Sequence, residues 1–99
     1  MKELTLDEAL AIVVPWIHGT HTSRPRVATD ALAMQVVRKL IECAARDEID
    51  DIDLSLSGDG LTAGVFMHDQ WIRAYADDPR DAVIIAAAQW LKAQQSAPT

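Results

Sequence analysis

The densest set of groups able to do chemistry lies in WIHGTHTSRPR, residues 16–26. His18 and His21 offer two imidazole nitrogens three residues apart, but a zinc site needs three or four ligands. The remaining donors would have to come from His68 and Asp69, far along the chain. The HExxH arrangement works because helical spacing puts two imidazoles on one face with a base between them, and this stretch has neither feature. Ser23, Arg24 and Arg26 suggest a different use. Free amides at a helix start attract phosphate or carboxylate, and two guanidinium groups can close over such an anion. The stretch lacks the glycines that let a backbone approach phosphate closely. The simpler expectation is a polar connection in which Ser23 or Thr29 caps the following helix and the arginines are solvated. His18-Gly-Thr and His21-Thr-Ser do not form a matched catalytic pair, and no strained nucleophile turn accompanies them. No catalytic residue and no cofactor are expected.

Two other features carry site-forming residue types. Asp47, Glu48, Asp50, Asp51, Asp53 and Asp59 are a run of carboxylates. A calcium loop beginning at Asp51 would need glycine at its sixth position, where Leu56 stands, and the alternating leucines read as a strand. Cys43 lies one turn after Lys39, which would lower a thiol pKa if the two met, but a buried cysteine ordinarily packs as a small apolar group.

Charge and composition narrow the class. The chain has 99 residues, 49% of them apolar, and a net charge of −6. One globular domain over residues 1–95 with a short tail at 96–99 fits that size and balance. Residues 24–46 carry five basic and two acidic side chains, whereas residues 47–59 carry six acidic and no basic ones. So weak a basic stretch in an acidic chain argues against nucleic acid as a partner. A single cysteine leaves no internal disulfide and points to the cytoplasm. The apolar run near the N-terminus is preceded by acidic residues and broken by Pro15, so neither a leader nor a membrane span is expected.

Any site must be positioned by the elements that periodicity predicts. Thr5-Leu-Asp-Glu8 has the form of a capping box, and Leu6, Leu10, Val13 and Ile17 recur on one helical face. Pro15 predicts a kink or an end near Val14, with Gly19 as the exit. A second helix is expected from between Arg24 and Asp30 to about Arg46. Its solvated arc is Gln35, Arg38, Lys39, Glu42 and Arg46. The wide apolar remainder, Met34 and Ile41 included, predicts cover on two sides and a central place in the core. Ile52, Leu54 and Leu56 alternate with polar residues as a strand, Gly58-Asp-Gly60 predicts a tight turn built on positive backbone angles, and LTAGVFMH reads as the return strand. WIRAYA, residues 71–76, is either a third strand or a short helix. Asp78-Pro79 opens a last helix to about Gln94, with Ile85 on its polar side.

The expected fold is therefore α+β: two N-terminal helices, a two- or three-stranded antiparallel sheet and one C-terminal helix, with the helices on one sheet face. Its outer face would gather Phe66, Trp71, Arg73 and Tyr75, with Ile85 added if the last helix reaches it. An aromatic patch with a polar rim is the mark of a contact surface. The functional expectation is a non-enzymatic protein-interaction module that self-associates, most simply a homodimer. The alternative is a small-ligand or anion-binding domain, enzymatic or not, centred on the His18 to Arg26 loop.

Overall fold

The computed structural model describes residues 4–19, 27–57, 60–67 and 69–96. Three helices and three strands follow in the order α1 (Leu6–His18), α2 (Asp30–Ala45), β1 (Asp51–Ser57), β2 (Gly60–Met67), β3 (Gln70–Ala76) and α3 (Pro79–Ser96). The strands form one antiparallel sheet in the order β1-β2-β3. Residues 71–76 are thus a strand, paired along their whole length with β2.

Local signals set most of the boundaries. The capping box at α1 is complete: Glu8 N–H donates to Thr5 Oγ1 at 3.2 Å, and Thr5 N–H to Glu8 Oε1 at 3.1 Å. Of the kink or end expected near Val14, the end does not occur: α1 runs to His18 through Pro15. The amide it lacks would have bonded the carbonyl of Ala11, an exposed residue whose carbonyl can turn to water. Gly19, at φ 95°, makes the exit. Thr29 caps α2 through a 3.0 Å bond from Leu32 N–H. The end of α2 is a Schellman turn: Asp47 takes the left-handed position at φ 62°, and Glu48 N–H bonds back to the carbonyl of Cys43 at 2.9 Å. That turn drops Ile49 into the core at 3% exposure and launches β1. Asp78 caps α3 by accepting from Arg80 N–H, and the Arg80 guanidinium returns to the same carboxylate at 2.7 Å. Those bonds hold the Asp78 carboxyl below the usual range, and Arg80 also reaches Asp30 of α2 at 3.5 Å. At the first hairpin, Gly60 has no positive φ. Its role is close approach, because a Cβ there would run into the carbonyl of Ala76. Gly58 and Asp59 lie outside the described residues.

The packing places α3, not α2, at the centre. Seven consecutive residues, Ala82 to Ala88, are all buried. A helix enclosed around its whole circumference must have neighbours on every side. Those neighbours are β2 and β3 on one side and α1 and α2 on the others. α2 is instead a flank: Leu32, Val36, Leu40 and Cys43 are buried, but Met34 and Ile41 are 55% and 57% exposed. Lys39, expected on the solvated arc, bends toward α1. Its ammonium donates to the carbonyl of Trp16 at 2.9 Å and lies 5.2 Å from that ring, answering a free carbonyl near the C-terminus of α1. Trp16 in turn meets Trp90 of α3 edge to face at 6.2 Å. Ile85, placed on the polar side of α3 by sequence, is only 8% exposed and belongs to the core. Among the described residues, no helix is long and apolar enough to cross a membrane.

These burial differences fix the cost of truncation. Ile84→Ala, at 0% exposure, and Leu40→Ala, at 3%, are each expected to destabilise by about 2–5 kcal/mol in urea unfolding. Arg38→Ala on the exposed side of α2 is expected to stay within about 0.5 kcal/mol.

Candidate functional site

Antiparallel pairing decides which side chains share the outer face of the sheet, because opposite residues point the same way and successive residues alternate. Three rows result. Asp51 stands opposite Phe66, which stands opposite Trp71; the next row is Asp53, Gly64 and Arg73; the third is Ser55, Thr62 and Tyr75. The helix-side face holds Ile52, Leu61, Ala63, Val65, Ile72, Ala74 and Ala76, all buried or half-buried. Leu54 belongs to the same face but is 50% exposed. The outer face carries no described element, and Trp71 and Tyr75 are 38% and 46% exposed there.

Four of the five residues predicted to make this surface do come together on it: Phe66, Trp71, Arg73 and Tyr75. Ile85 does not, since it faces into the core from α3 on the opposite side. The Phe66 and Trp71 rings lie 5.0 Å apart with a 39° tilt, and the Arg73 guanidinium sits 5.1 Å from the Trp71 ring. Gly64, which sequence reasoning did not single out, organises the group. A Cβ at Gly64 would stand 3.1 Å from the Trp71 ring and 3.2 Å from Arg73 Cγ, so both side chains fold over the bare backbone. A lone glycine inside an alternating strand is the sequence signal for such an approach. The result is a tilted stack of Phe66, Trp71 and Arg73, with Tyr75 beyond it and Asp51, Asp53 and Ser55 along one side. Ser55 donates to Asp53 Oδ2 at 2.8 Å, leaving the other carboxylate oxygen of Asp53 for a donor outside the strand. The exposed aromatic and guanidinium surfaces of the group are of the kind that make contacts with other molecules.

The histidine loop can be followed only in part. His18, at the end of α1, lines a cavity of about 290 Å³ together with Val14, Val27, Thr29, Leu32 and Gln35. His21, Ser23, Arg24 and Arg26 lie outside the described residues, as does His68, so the expected anion cradle and most of the zinc set fall outside them. Among the described residues, no three His, Cys, Asp or Glu side chains gather as a metal site would require.

Cys43 is 3% exposed, and burial raises its thiol pKa, with Glu48 adding to the effect and Arg46 opposing it. Lys39, the residue that would have activated it, is engaged with Trp16.

No family model matches this chain, and no curated protein or solved structure matches it either.

A buried thiol with a raised pKa should be protected. Iodoacetamide at mildly alkaline pH is expected to leave Cys43 unmodified in the folded protein and to alkylate it fully in denaturing urea, as read by intact mass.

Proposed function

We propose that the chain is a non-enzymatic protein-interaction module that self-associates, with the outer face of its sheet as the contact surface. The observation that carries this reading is the stack of Phe66, Trp71 and Arg73, joined by Tyr75, on a face that no described element covers. Aromatic side chains and arginine are the groups enriched where protein surfaces meet, because they bury large areas for little conformational entropy. The occupant we favour is a second copy. A two-fold contact would set Arg73 of one copy near the acidic rim of the other, where Asp51 and Asp53 stand. Those carboxylates also argue against a phosphate backbone on the same aromatics. A single cysteine that is buried as a thiol suits a reducing compartment, and we place the protein in the cytoplasm.

Sedimentation of the wild type at tens of micromolar is expected to give a mass above the monomer, and the Phe66→Asp, Trp71→Asp double variant a smaller one. A wild type that remains monomeric removes the self-association. A folded double variant that sediments like wild type moves the contact off this face.

The cavity beside His18 supports a second reading, in which a small ligand or anion binds between the end of α1 and the start of α2. A bound ligand stabilises the folded state by mass action. If this second reading holds, sulfate, phosphate or zinc at modest concentration raises the melting temperature of the wild type more than that of His18→Ala. Under the reading we favour, none of the three shifts it.

A further inference from the structure

We infer that a second copy of this chain docks on the free edge of β1, joining two three-stranded sheets into one of six strands and closing an apolar cleft between β1 and α2. The inference shares the self-association proposed above but uses a surface that does not include the aromatic face.

The two edges of the sheet are treated differently. At β3, Gln89 of α3 donates its Nε2 to the carbonyl of Arg73 at 2.9 Å and accepts the N–H of Leu4 on its Oε1 at 3.0 Å. The flank of α3 and the segment leading into α1 therefore attend that edge. At β1, Ile52 N–H donates to the carboxylate of its own neighbour, Asp51, at 2.8 Å. A strand amide bonded in that way is turned away from β2. Backbone direction alternates along an antiparallel strand, so Ile52, Leu54 and Leu56 present their N–H and C=O groups to the open side. Such an edge is a template for another strand.

The side chains above the edge are also unfinished. Leu54 points to the helix side yet is 50% exposed, because α3 is seated over β2 and β3. Val37 of α2 shares a narrow cleft with Leu54 and Ile52. Met34 and Ile41, three residues before and four after Val37, extend that flank of α2 and are the two most exposed large apolar side chains of the helix. Helical geometry puts all three on one stripe.

What identifies the occupant is the register. A two-fold antiparallel pairing that keeps both sets of helices on one face must be centred on a residue. Centred on Leu54, the midpoint of β1, it pairs all of Asp51–Ser57: Leu54 with Leu54, Ile52 with Leu56, Asp53 with Ser55 and Asp51 with Ser57. At the centre of that register the Asp53 carboxylate meets the partner's Ser55 hydroxyl and Leu54 meets its own copy. Centring on Asp53 would set that carboxylate against its own copy, and centring on Ile52 would set Asp51 against Asp53. Like charges directly opposite destabilise a pair. Centring on Ser55 pairs only residues 53–57. The strand is thus complementary to itself in the one register that uses its full length. The same pairing brings Met34, Ile41 and Leu54 of both copies over the seam.

The test is sedimentation equilibrium in the Phe66→Asp, Trp71→Asp background, which lacks the aromatic contact. We expect a dimer there, and a monomer when Leu54→Lys is added, since two ammonium groups then face each other across the two-fold axis. Ser55→Lys should tighten the dimer roughly threefold to tenfold by facing the partner's Asp53, and Ser55→Asp should weaken it by a similar factor. Ser55 is exposed, so these two variants decide the matter even if Leu54→Lys fails to fold. Each copy carries a net charge of −6, so added salt should strengthen the dimer. A monomeric background, a dimer indifferent to Leu54→Lys, or Ser55 variants that shift affinity in the same direction would overturn the edge contact. A background that sediments like wild type and still loses its dimer with Leu54→Lys would sink the aromatic-face reading and leave this one standing.

Discussion

Everything else in this fold depends on the enclosure of α3. Over Ala82–Ala88 the helix meets neighbours around its whole circumference, and four of those seven residues are alanine. Small side chains let a backbone approach a sheet and two helices at once, and Val83, Ile84 and Ile85 fill the wider gaps between them. The polar residues of α3 are placed where the enclosure stops. Asp78 and Arg80 cap its start and tie it to Asp30 of α2, while Gln89 links Leu4 to the carbonyl of Arg73. The buried stretch is therefore bounded at each end by groups that satisfy the backbone of neighbouring elements.

Where α3 sits determines what stays open. It is seated over β2 and β3, so the helix side of β1 is left to α2, which touches that strand only lightly. Leu54, Met34 and Ile41 are exposed as a consequence. No described element covers the outer face of the sheet because all three helices lie on the other side, and Gly64 lets Trp71 and Arg73 fold across it. Both proposed contact surfaces are thus by-products of one packing choice, a helix small enough to be central and too narrow to cover three strands.

The sequence was most legible where one residue type has one local use. The Thr5 and Glu8 pair, Thr29, Asp78 with Pro79, and Gly19 each marked a helix terminus by chemistry that needs no tertiary context. Alternation through Ile52, Leu54, Ala63 and Val65 placed the sheet faces, and with them four members of the aromatic surface. The hierarchy of the core was not legible. A wide apolar arc makes α2 look central, whereas a helical reading of AVIIAAA in α3 sets Ile85 on the polar side. Read as an unbroken apolar run, the same seven residues call for enclosure on all sides. Pro15 does not end α1 because its cost depends on whether the orphaned carbonyl reaches water, and Ala11 is exposed. Lys39 was read as solvated because no pattern announces a bond to a carbonyl 23 residues away. The left-handed Asp47 carries no glycine to advertise it.

Native-state amide exchange followed by NMR tests the central role of α3 most directly. A helix enclosed on every side can release its hydrogen bonds only when its neighbours leave, so the amides of Ile84–Ala88 should exchange solely through global unfolding, with the same free energy as urea unfolding reports. The amides on the exposed flank of α2, those of Met34 and Ile41 among them, should open at lower cost. Exchange in α3 that is faster than in α2, or that proceeds by an opening well below the global free energy, would contradict the account.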